Sequence, residues 1–116
     1  MLTANDYQEL ASRTLISKPD NVYTGDELLL VWNALGLTGE AGEVADTIKK
    51  AVFHRHTLNR DELIKELGDV LWYVAALCTK IDVPMGMVMQ YNIDKLKKRY
   101  PEGYNSADSI ARVDKV

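Results

Sequence analysis

Cysteine is nearly absent from this 116-residue sequence, where Cys78 stands alone. No disulfide can therefore form within one chain, in keeping with a reducing, cytoplasmic setting. Cys78 lies in an apolar stretch with no histidine near it in sequence, so it reads as an inert buried thiol. Positive charge is also scarce: 14 Lys and Arg against 17 Asp and Glu leave a net charge of −3. A general nucleic-acid binder needs a basic face, so no nucleic-acid polymer is expected as a partner. Long apolar runs are missing too. The longest, Val70 to Cys78, is too short to span a bilayer, and Met1 to Asp6 has neither the basic nor the apolar region of a signal peptide. No membrane partner is expected. Strand-like alternation bounded by hairpin turns occurs nowhere, which leaves an all-α fold. Apolar residues at 47 % and charged residues at 27 % are the proportions of a folded domain of ordinary size.

What is present is a pattern of acids. Glu40 and Glu43 form one pair, Glu66 and Asp69 another. Spacing of i,i+3 puts both members of a pair on one helix face. Each pair borders a strongly apolar stretch, where unpaired negative charge is costly. Four such carboxylates facing one another repel unless a hard cation sits among them. Oxygen-only ligation suits Mg²⁺, with Mn²⁺ as a substitute, and such an ion also takes phosphate.

Four helices and a tail are expected. The first spans about Asn5 to Leu15, capped by Asn5 with Gln8 three residues on. Ser17 to Asn21 reads as a loop. The second runs from Gly25 or Asp26 to Phe53. Its Gly36, Gly39 and Gly42 cost helix propensity, about 1 kcal/mol each relative to Ala, which calls for close helix approach or room for a ligand. Asn59 caps a third helix reaching Ile81, and Pro84 opens a fourth that Pro101 and Gly103 stop near Tyr100. Residues 1–104 then form the domain, and 105–116 a loosely ordered tail. Leu28 to Leu37 and Val70 to Cys78 are apolar nearly all round, so they need cover on every side. One small chain cannot supply it, which points to a homodimer or homotetramer.

At 100° per residue, Trp32, Gly36, Gly39, Glu40, Glu43, Thr47 and Lys50 share one sector of the second helix. Glu62, Glu66, Asp69, Tyr73 and Ala76 share a stripe of the third. Antiparallel packing brings the two acid stripes together. Trp72 falls off the stripe and reads as core or interface. A di-iron bundle needs Glu-x-x-His, and neither His54 nor His56 follows a helical Glu by three, so both read as loop residues.

These residues resemble a known family. Glu40-Ala-Gly-Glu43 followed by Glu66-Leu-Gly-Asp69 is similar to the E-x-x-E…E-x-x-D signature of the MazG-like all-α nucleoside triphosphate pyrophosphohydrolases. Asp6 to Thr14 resembles the Y-Q-x-x-A-x-R-T opening of members, and Asn92 to Pro101 the N-x-x-K…R-Y-P end of the core. The resemblance implies a four-to-five-helix bundle completed by oligomerisation. It also implies Mg²⁺ on the four carboxylates and cleavage of a nucleoside triphosphate to the monophosphate and pyrophosphate. Asn92 and Lys95 are implied at the phosphates or sugar, and Trp32, Trp72 or Tyr73 at the base. The expected division of labour follows. Glu43 orients the attacking water. Lys50, Lys95 and Arg99 neutralise the outgoing pyrophosphate, and Tyr73 or Trp32 stacks on the base. Two alternatives stand beside this reading: a non-catalytic helical module that binds Mg²⁺ and nucleotide, and a hydrolase of a phosphoribosyl-nucleotide or nucleoside diphosphate.

Overall fold

Capping chemistry sets most of the helix boundaries. A computed structural model describes residues 1–16 and 22–115, so the loop expected at 17–21 lies outside the described residues. α1 spans Ala4–Ser12, shorter at its end than the expected Leu15, and its cap lies two residues before the Asn5 inferred from sequence. Thr3 takes that role: its hydroxyl accepts from the Asp6 amide and the Asp6 carboxylate accepts from the Thr3 amide, both at 3.1 Å. α2 runs Gly25–Phe53 behind the same reciprocal box, Thr24 with Glu27. α3 runs Arg60–Lys80, capped by the Asn59 side chain. α4 covers Met85–Arg99 behind Pro84. The sequence reads the remainder as a loose tail, but it holds α5, Ser106–Ala111, and a 3₁₀ turn, Val113–Lys115. No strand occurs among the described residues, so the all-α expectation holds.

The framework is an antiparallel pair, α2 against α3, closed by the connection at 54–59. Three contacts fix its register. Lys80, in the last turn of α3, donates to Asp26, in the first turn of α2, at 2.9 Å, where each charge also complements its helix dipole. Midway, the Tyr73 ring lies on the backbone of Gly36. Toward the closed end, the Thr47 hydroxyl bonds Glu66. α4 then turns away, bent 106° from α3, and packs chiefly on the C-terminal segment. There Arg99 grips Asp114 with two bonds, Nε and Nη2 each at 2.7 Å. The two side chains are only 12 % and 2 % exposed, and this ion pair holds the last turn in place.

Among the described residues only Cys78 is buried, at 6 % exposure. The radius of gyration is 20.5 Å, against about 13 Å for a compact domain of this length. Leu28, Leu29, Val31, Trp32 and Leu35 instead line open hollows on α2. No single described helix is long and apolar enough to cross a membrane; only α3 and α4 together pass that test, and they do so across their bend.

Candidate active site

The acid stripes meet as helical phase predicts. Glu40 on α2 feels the charges of Asp69 and Glu66 on α3 and of Glu43 on its own helix. Desolvation first, and these three anions next, push the Glu40 carboxyl above its ordinary value. Glu40 and Glu66 are half-buried, while Glu43 and Asp69 are exposed. None of the ion pairs among the described residues uses any of the four. Among the described residues no cation is in direct contact with them; only Lys50, paired to Asp46, is near enough for its charge to act on Glu43.

Glu66 is turned toward α2. The Thr47 hydroxyl reaches its two oxygens at 2.8 and 3.1 Å, a bond that orients the carboxylate. As the helices stand, no three His, Cys, Asp or Glu side chains among the described residues converge closely enough to enclose a metal ion. Mutual repulsion and the pull of Thr47 both favour that open arrangement. The donor chemistry nevertheless fits a hard divalent cation: oxygen only, partly desolvated, and in no ion pair with an ammonium or guanidinium group among the described residues.

Beside the acids lies a cleft of about 340 Å³ lined by Glu40, Asp69, Trp72 and Tyr73. A second hollow of about 300 Å³ continues from it, lined by Leu29, Trp32, Asn33, Trp72 and Tyr73. Trp72 and Tyr73 meet edge to face, with ring centroids 5.0 Å apart. Trp32 is 71 % exposed and Trp72 62 %, so both indoles offer free surface. Trp72, set aside by its helical phase but among the base candidates that the family resemblance implies, lines both hollows. Its i,i+3 spacing from Asp69 puts the two on neighbouring positions of one face, a relation that the stripe alone does not bring out. Thr47 lies in the predicted sector, but its bond to Glu66 depends on a second helix that spacing alone does not reveal.

The cationic positions are dispersed. Lys50 is paired with Asp46 at 2.8 Å; that carboxylate, and more weakly Glu43, raises its pKa. Asn92 and Lys95 are exposed on α4 and line neither cleft. Arg99 departs from its expected role. Both of its engaged nitrogens are spent on Asp114, so it is a structural clasp rather than a free phosphate ligand. Of the three glycines, only Gly36 marks close helix contact; a side chain at Gly39 or Gly42 would meet open space.

The family description "MazG nucleotide pyrophosphohydrolase domain" matches residues 32–104, a span that contains all four acids. The chain belongs to the MazG nucleotide pyrophosphohydrolase family. Gene 37 protein of Mycobacterium phage L5 is 44 % identical over 78 residues, covering 64 % of this chain and 68 % of that one. No solved structure matches. The MazG span begins at Trp32 and ends just past the turn at Pro101, so α2 from Trp32 onward, α3 and α4 lie within the match, whereas α1, the start of α2 and α5 lie outside it.

Proposed function

We propose that this MazG-family protein is a Mg²⁺-dependent pyrophosphohydrolase that cleaves a nucleoside or deoxynucleoside triphosphate to the monophosphate and pyrophosphate. The observation that carries the reading is the mutual approach of Glu40, Glu43, Glu66 and Asp69 across α2 and α3 with none of the four in an ion pair among the described residues. A divalent ion on these carboxylates supplies charge neutralisation at the phosphate oxygens. The chain's own groups do the rest. Thr47 orients Glu66. Glu43, exposed and in none of the side-chain hydrogen bonds described, orients the attacking water or takes its proton. Trp32, Trp72 and Tyr73 give flat walls for a base. Lys50 faces the departing pyrophosphate when Asp46 releases it. Asn92 and Lys95 reach the phosphates or sugar from α4.

The open apolar face of α2 supports assembly as a homodimer or homotetramer, because one chain leaves it uncovered. The lone thiol fits action in a reducing cytoplasm.

Pyrophosphate release from a panel of NTPs and dNTPs with Mg²⁺ tests the assignment. Glu43→Gln and Asp69→Asn should each abolish turnover while circular dichroism stays unchanged. Full activity in both variants would refute it. Metal-dependent stabilisation with no turnover of any nucleotide would turn the reading to a non-catalytic binding module.

A further inference from the structure

Tyr73 is the one residue that joins the acid cleft to the hollow beyond it without being largely exposed. It lines both spaces, as Trp72 does, but its ring is half-buried. What lets it lie there is a missing side chain. A Cβ at position 36 would overlap the Tyr73 ring at Cε1 and Cζ, with Cδ1 only 2.8 Å away. Gly36 is thus a notch in α2 into which the tyrosine edge fits. Gly36 lies one helical turn from Glu40, and Tyr73 one turn from Asp69 on the facing helix. The notch therefore sits one turn along the helix pair from the acids.

We propose that Gly36 is a positioning residue of the active site. Seated in the notch, Tyr73 forms the partition between the acid cleft and the Trp32–Asn33 hollow, and so sets how far a nucleotide's base lies from its phosphates. The inference rests on the pyrophosphohydrolase reading and adds to it a residue that touches neither metal nor substrate. A methyl group at position 36 must push the ring outward, since the neighbouring atoms belong to a rigid aromatic ring that can yield only by turning as a whole. The displaced ring narrows the passage between the two spaces and leaves the carboxylates untouched.

Gly36→Ala is the test. KM for the preferred nucleotide should rise about tenfold or more while kcat falls far less, the signature of lost ground-state positioning. Mn²⁺ binding measured without nucleotide should be unchanged, which a general loss of structure would not spare. In a Tyr73→Ala background, adding Gly36→Ala should change KM less than about twofold, because the clash has been removed. That double variant also guards against misfolding of the single one: if only Gly36→Ala fails to fold, recovery in the pair with the KM of Tyr73→Ala alone supports the notch. A Gly36→Ala enzyme with parental KM, or an equal loss in both backgrounds, overturns the proposal. If the parent protein turns over no nucleotide, the catalytic reading has failed separately. Tryptophan emission then decides on the notch, because Trp32 and Trp72 share the hollow with Tyr73. A shift on Gly36→Ala that is absent in the Tyr73→Ala background supports displacement of the ring, and no shift refutes it.

Discussion

Thr47 gives the acid cluster its direction. A hydroxyl that touches both oxygens of Glu66 holds the carboxylate in one rotamer before any ion arrives. Thr47→Val keeps the shape and removes the donor. The Mg²⁺ concentration for half-maximal turnover should then rise by about 10- to 100-fold with the fold intact, and Thr47→Ser should recover most of it. A metal titration of initial rates checks this, and an unchanged midpoint would remove Thr47 from the site. At this scale the sequence is informative about identity and poor about partners. The i,i+3 acid pairs and their helical phase are visible in one dimension, and the pairing across α2 and α3 agrees with them. The bond between Thr47 and Glu66, and the capture of Arg99 by Asp114 fifteen positions on, depend on how separate elements meet.

Elements were legible where local chemistry punctuates them. Asn59 and Pro84 announce the starts of α3 and α4, and α2, α3 and α4 fall where the sequence puts them, although the Thr24 cap of α2 shows only in the structure. The C-terminal segment carries a weaker signal. Six polar-rich residues have too little periodicity to announce α5, and the order of the turn behind it comes from one buried ion pair. That pair carries a pH signature. Arg99 holds the Asp114 carboxyl down to about 2, from an ordinary 3.8. The folded state therefore loses its bound anion later than the unfolded chain does. The contribution is complete above pH 3.8 and disappears as pH falls through about 2. Amide exchange of residues 106–115, corrected for intrinsic rates, should show protection lost in that window. Asp114→Ala should lose it at every pH, and equal protection in the variant would show that the clasp does not hold the segment.

The whole molecule is an open frame. One buried residue among the described ones and a radius of gyration of 20.5 Å leave little core within a single chain, in line with the proposed assembly. Light scattering coupled to size exclusion should return twice or four times the mass of one 13.1 kDa chain. Leu35→Glu, on the open face of α2, should shift that mass toward the monomer and lower the melting temperature. A monodisperse, stable 13.1 kDa species would show that the face needs no cover. The apolar excess of α2 and α3 is legible in their sequences, but a single chain cannot show which surfaces pair.

Cys78, the single thiol and the single apolar residue that is buried among the described residues, makes the protein its own chronometer. A thiol-specific chromogenic reagent should find no reactive sulfur in the native assembly and one per chain in denaturant. Between those limits, the rate of colour development times how often the end of α3 lifts from its neighbours. The frame's breathing can be read on the unmodified protein with no label added, and substrate or metal that tightens the helix pair should slow the clock.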